Sequence, residues 1–221
     1  MFLENGQKIV FIGDSVTDAG RKHPLGHGLW EGTGNGYVRQ IENLLTVCYP
    51  ERIIHVINTG ISGHTTADLV ARFDKDCISL QPNYAVICIG FNDVWRHFDE
   101  PTLTDTHISL DEYKRNLRTM AEKCREASIG CILMTPYYLE TNLKDAMRAE
   151  MDEYRQAMHE VANEMGLDCV DLQGAFDEFL KYRYSAYISW DRIHPGHVGS
   201  LIIAKTFLNY AGFDFSRLAE G

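Results

Sequence analysis

Short apolar runs alternate with longer amphipathic stretches along the whole chain. Ile9-Val10-Phe11-Ile12 is a run of β-forming residues, of the kind that suits a central parallel strand covered on both faces. Residues 53–57, 84–89, 131–134 and 167–171 repeat that short, apolar signature. Between them the apolar positions recur at helical spacing. Val38, Ile41, Leu44 and Leu45 share one face of a helix over 37–47, which Pro50 closes. Thr65 or Thr66 caps a helix running through Leu69, Val70, Phe73 and Ile78. Further helices are expected over about 110–127, 146–165, 175–182 and 197–210, with a polar loop from Asp93 to about Ser109.

Strands alternating with helices imply parallel strands, right-handed crossovers and helices on both faces. The expected architecture is a single three-layer α/β/α domain spanning 1–221, with a roughly five-stranded parallel sheet. A flavodoxin-like strand order would set the ends of the first and third strands beside the topological switch point, where open sheets of this class bind ligands. Those ends carry Ser15 and Asn92.

Chemistry gathers at the strand ends. Gly13-Asp14-Ser15 stops the first strand, where glycine allows a tight turn and Ser15 either caps a helix or stands exposed as a nucleophile. Gly60-Ile61-Ser62-Gly63-His64-Thr65 ends the second, and its backbone N–H groups could meet developing negative charge. Gly90-Phe91-Asn92-Asp93 ends the third, where Asn92 is either a turn residue or an oxyanion donor. Asp191-Arg192-Ile193-His194-Pro195 puts a carboxylate and an imidazole three residues apart, within reach in a tight loop. Each block has a plain structural use on its own. Together, in order and at matching topological positions, they supply a nucleophile, a base, an orienting acid and oxyanion donors.

These four blocks resemble the SGNH hydrolases, the GDSL-type esterases and lipases, over nearly the whole chain from Ile9 to about Ile203. The resemblance implies that Ser15 is the nucleophile, His194 its general base and Asp191 the residue orienting the histidine. It assigns the oxyanion hole to the Ser15 N–H, the Gly63 N–H and the Asn92 amide. Val16 stands where the family name implies leucine, a packing difference. No G-x-S-x-G elbow surrounds Ser15. Residues 13–21, Gly34-Asn35-Gly36-Tyr37-Val38, Asn92-Asp93-Val94-Trp95-Arg96 and Met134-Thr135-Pro136-Tyr137-Tyr138 look more narrowly like intracellular acetylxylan esterases of this superfamily. That narrower likeness implies removal of acetyl groups from xylo-oligosaccharides, with no cofactor. A lysophospholipase or thioesterase is the rival within the superfamily, and a carbohydrate-binding protein with a dead site is the rival outside it.

Composition narrows the partners. Net charge is −10 and 24% of residues are charged, which disfavours nucleic acid and anionic membranes. The expected partner is a small acetylated sugar, with a homo-oligomer as a further expectation. The three tryptophans, Trp30, Trp95 and Trp190, each lie near a chemical block and are candidate sugar contacts. Scattered cysteines without C-x-x-C spacing read as buried thiols. The first residues carry no secretory signature, so a cytoplasmic enzyme acting on imported short oligosaccharides is expected. His23 and His27 are separated by Pro24 and Gly26, which breaks any helical metal-ligand spacing, so no metal site is expected.

Overall fold

The structure is a computed structural model that describes residues 1–28 and 30–219. A six-stranded sheet forms its middle layer, in the order β2-β3-β1-β4-β5-β6. The strands are β1 (Lys8–Gly13), β2 (Gly26–His27), β3 (His55–Asn58), β4 (Tyr84–Cys88), β5 (Gly130–Met134) and β6 (Asp168–Val170). β3, β1, β4, β5 and β6 run parallel to one another, and in chain order they give the expected flavodoxin-like arrangement. β2 is antiparallel on β3 and adds a strand to the expected number. Two residues long, within a glycine-rich connection, it carries no hydrophobic pattern for a sequence reading to find.

The helices are α1 (Ser15–Asp18), α2 (Tyr37–Cys48), α3 (Thr66–Asp76), α4 (Phe91–Asp99), α5 (Leu110–Glu126), α6 (Ala146–Met165), α7 (Leu172–Leu180) and α8 (His197–Tyr210). α2, α7 and α8 pack together, while α3, α5, α6 and α4 form the other group. Ile9, Val10, Phe11 and Ile12 are all fully buried, as a central strand between two helical layers requires.

Three sequence expectations are corrected. The stretch after Asn92 is a helix, α4, rather than the start of a polar loop. α7 begins at Leu172, before the expected 175, because the Asp171 carboxylate caps it by accepting the Gly174 N–H at 3.3 Å. Gly13 is needed for close approach rather than for a turn. A Cβ there would sit 2.2 Å from the Cys88 carbonyl oxygen on β4 and 2.4 Å from Thr17 Oγ1.

Candidate active site

β1 delivers Ser15 to the carboxyl edge of the sheet. Asp14 is the N-cap of α1, its Oδ1 accepting the Val16 N–H at 3.0 Å. Ser15 is therefore the first helical residue, and its hydroxyl is not used as a cap. Its Oγ lies 2.7 Å from His194 Nε2. The His194 ring in turn sets Nδ1 at 2.5 Å from Asp191 Oδ2. With Nδ1–H donated to the carboxylate, Nε2 carries a lone pair facing the serine hydroxyl, the arrangement a general base needs.

The Asp191 carboxylate is held from several sides. Oδ1 accepts the backbone N–H groups of Ile193 at 3.0 Å and His194 at 2.8 Å, and the Ser189 hydroxyl at 3.0 Å. Burial works against its charge, but these donors and the His194 ring outweigh it, and Asp191 titrates below the usual carboxylate value. Arg192, between the two catalytic candidates, has a positive φ of 68°, so the chain turns sharply there.

The expected oxyanion donors converge on the same edge. Gly63 has φ of +83°, a conformation that favours glycine, and its N–H has no protein acceptor among the described residues. Asn92, 2% exposed, donates one amide N–H to the His64 carbonyl at 2.9 Å and accepts from Arg96 Nη2 at 3.2 Å. Its amide is thereby oriented, with the second N–H available to a ligand.

Ser15, Ala19, Gly20, Ser62, Gly63, Asn92, Trp95, Arg96, Trp190 and His194 line one cleft of about 510 Å³. Trp95 packs its ring 5.6 Å from the His194 ring, and Trp190 stands on the rim, 86% exposed. Trp30, also exposed, is not among the lining residues.

A supporting layer escaped the sequence reading. Asp18 Oδ2 accepts both the N–H and the hydroxyl of Ser62, at 3.0 and 2.9 Å, tying the turn before Gly63 to the helix that begins at Ser15. Buried Asn58 donates to Thr17 O at 2.6 Å and Thr33 O at 2.9 Å, and accepts the Gly60 N–H at 2.8 Å. Arg72 donates to Gly13 O, Thr59 O and His64 Nδ1 at 2.9, 2.7 and 3.1 Å. Burial first, and the Arg72 charge second, push His64 below the ordinary imidazole value, which suits an Nδ1 that accepts. Asn58 ends β3, just before Thr59-Gly60, and Asp18 lies in the run after Ser15, but a polar residue at a strand end or in a turn sequence gives no hint of which distant loop it ties down. Among the described residues no group of three or more His, Cys, Asp or Glu is gathered closely enough to hold a metal ion.

The sequence profile of the GDSL-like Lipase/Acylhydrolase family matches residues 11–201, a span that contains every block of this site. The chain belongs to that family. Among individual relatives, an acetylxylan esterase of Geobacillus stearothermophilus is 44% identical over 217 residues, covering 98% of this chain and 99% of the relative. A solved structure of a catalytic mutant of that esterase superposes with a TM-score of 0.94, covering 97% of this chain and 98% of the other at 44% identity. An alpha/beta hydrolase enzyme from the metagenome of Lake Arreo, Spain, gives a TM-score of 0.93 at 44% identity, covering 96% of this chain and 98% of that one. A relative in Rattus norvegicus, an isoamyl acetate-hydrolyzing esterase 1 homolog, is 30% identical over 163 residues, 66% of this chain and 64% of its own length.

Proposed function

We propose that this GDSL-like hydrolase is a serine esterase that removes acetyl groups from acetylated xylo-oligosaccharides through an acyl-serine intermediate. The observation that carries the reading is the hydrogen-bonded sequence from Ser15 Oγ through His194 to Asp191, opening into a cleft walled by Trp95 and Trp190. The near full-length likeness to an acetylxylan esterase supports the substrate class. Ala19, Trp95 and Trp190 are the main apolar groups of the lining, which suits a small acyl group better than a long lipid chain.

In this mechanism His194 Nε2 takes the Ser15 proton as Oγ attacks the acetyl carbonyl carbon. The carbonyl oxygen becomes an oxyanion held by the Ser15 and Gly63 N–H groups and by the Asn92 amide. His194, now an imidazolium stabilised by Asp191, gives its proton to the departing sugar alkoxide. Water, deprotonated by the same Nε2, then attacks the acetyl-serine, and acetate leaves with the serine restored. Trp95 braces the imidazole, and Trp190 offers an exposed ring face to a sugar.

The same reading places the enzyme in the cytoplasm, acting on short imported oligosaccharides. It also takes Tyr182, Tyr184 and Tyr187, all strongly exposed, as a contact between copies of the chain. Light scattering of the purified protein tests that assembly, and a monomer would remove it.

The deciding assay compares acetate release from acetylated xylo-oligosaccharides with hydrolysis of 4-nitrophenyl acetate and octanoate. Release of acetate with little octanoate activity is expected, and Ser15→Ala should abolish both acetyl activities while leaving the fold intact. Octanoate preference without oligosaccharide activity would move the chain to the lipid or thioester branch of the family.

A further inference from the structure

A second cleft begins where the first one ends. It has a volume of about 460 Å³, within the range of about 300–1,000 Å³ usual for small-ligand sites. Gly63 and Arg96 line both clefts, so the two meet at the turn that holds the expected oxyanion donor. From there the second cleft runs between the start of α3, the end of α4 and the loop before α5. Thr65, Asp68, Glu100, Asp105, Thr106 and Glu112 give it a polar lining, with His107 beside them. Nothing in the acyl-transfer mechanism uses any of these groups.

The floor of this cleft is built before any ligand arrives. Asp68 Oδ2 accepts the Thr65 N–H at 2.8 Å and the Thr65 hydroxyl at 2.9 Å, fixing the α3 end. His107 Nε2 lies 3.1 Å from the Glu100 carbonyl oxygen, and its ring lies 4.6 Å from that of His97. Arg96 is held by Asp99 and by Asn92 Oδ1, so the group shared by both clefts is also fixed. Asp105 and Thr106 stand exposed on the outer rim, in the 3₁₀ turn Thr104–Thr106.

The chemistry of the lining selects a ligand. Carboxylates, hydroxyls and an imidazole are acceptors and donors matched to sugar hydroxyls, and apolar surface that includes Ala67 and Ile108 suits the C–H faces of a sugar ring. Four carboxylates face a single guanidinium, so an anionic group entering the cleft meets net repulsion. We propose that this cleft is the subsite for the sugar residues flanking the acetylated one, and that it selects neutral oligosaccharides against those bearing a uronic acid. The proposal rests on the deacetylase reading above and adds to it where the rest of the chain lies and which decoration is refused.

The test uses the intact protein and three substrates: acetylated xylose, acetylated neutral xylo-oligosaccharides, and the same oligosaccharides carrying a uronic acid side group. The wild type should show kcat/KM rising from the monosaccharide to the oligosaccharide, and falling again with the uronic acid. Thr106→Trp fills the cleft from its rim and should raise KM for the neutral oligosaccharide about tenfold. It should leave the monosaccharide and 4-nitrophenyl acetate unchanged, which also certifies the fold. Asp105→Asn combined with Glu112→Gln should narrow the gap between neutral and uronic substrates. Wild-type oligosaccharide activity that Thr106→Trp leaves untouched overturns the subsite alone. A wild type without any oligosaccharide activity overturns the deacetylase reading, and the subsite with it. Equal kcat/KM for the neutral and uronic substrates overturns the charge selection.

Discussion

Asp191 uses one carboxylate oxygen for the His194 ring and the other for two backbone N–H groups and a hydroxyl, so the acid that aims the histidine is itself aimed. Such double fixing is what a preorganised site needs, because the geometry must not reorganise as charge develops. Asn92 follows the same logic. Its amide is set by the His64 carbonyl and the Arg96 guanidinium, so its free N–H has one direction. Asn92→Ala should therefore lower kcat for 4-nitrophenyl acetate about 10²–10³-fold with KM nearly unchanged, since the lost bond forms only to the oxyanion. An unchanged kcat would remove Asn92 from the oxyanion hole. Asp18 acts one step further out, as a positioning residue. Its carboxylate receives two bonds from Ser62, and hydrogen bonds to a charged group contribute about 1.5–3 kcal/mol each. Asp18→Ala frees the Ser62–Gly63 turn from the helix that begins at Ser15. Stopped kinetics should show kcat falling about tenfold or more, and Asp18→Glu failing to restore it if reach, rather than charge, sets the turn.

At the scale of elements, the site is made by contacts between strand ends that leave no room for a side chain. A Cβ at Gly60 would lie 2.3 Å from the Asp18 N atom, and one at Gly13 would strike the Cys88 carbonyl. Gly13→Ala should push β1 from β4, cost about 1–3 kcal/mol or more in a urea melt, and reduce activity by displacing Ser15. A variant with wild-type midpoint and wild-type kcat would show that the β1–β4 approach has slack. The sequence made much of this framework legible. The buried run before Ser15 is β1, and the helices expected over 146–165 and 197–210 have those same bounds. The pattern failed at α4, and instructively. Phe91, Val94, Trp95 and Phe98 have helical spacing, but Gly90 and Asn92-Asp93 are turn-forming residues and masked it. That helix matters, because it carries Asn92, Trp95 and Arg96 on successive turns into the two clefts. What no single-chain pattern could show were Asn58, Arg72 and Asp18, whose function lies in which distant carbonyl or turn each one reaches.

At the scale of the whole molecule, two buried carboxylates couple the catalytic edge to pH. Asp14, fully buried beside Ser15, has an Oδ2 with no hydrogen-bond partner among the described residues. Burial, reinforced by the nearby Asp93 charge, lifts it from 3.8 to about 8 against the pull of the Val16 N–H and Arg72. Asp93, buried next to Asn92, accepts the Thr66 N–H at 3.1 Å and hydroxyl at 2.5 Å, yet burial still raises it to about 7. Both groups hold a proton in the folded protein at pH values where the unfolded chain has lost it. The folded state then binds more protons, so unfolding releases them and stability falls with rising pH. The stabilisation relative to the ionised chain is complete below about pH 4. It declines from there until the folded values near 7 and 8 are passed, Asp93 giving out first and Asp14 second. Asp14→Asn keeps an oxygen for the Val16 N–H and cannot ionise, as Asp93→Asn keeps one for Thr66. Denaturant midpoints of wild type and the double variant, taken at each pH from 5 to 9, isolate these two groups from the rest of the acidic chain. The variant's curve should be flatter, and its advantage over the wild type should grow as pH rises through 7 and 8. Parallel curves would mean that both carboxylates ionise in the fold at their ordinary values. The consequence for catalysis follows from position. With Asp14 and Asp93 neutral, no extra negative charge stands behind Ser15 and Asn92 to oppose the oxyanion. Ionisation of Asp93 and then of Asp14 should depress wild-type kcat as pH rises through 7 and 8, while the double variant should hold its rate into the alkaline range.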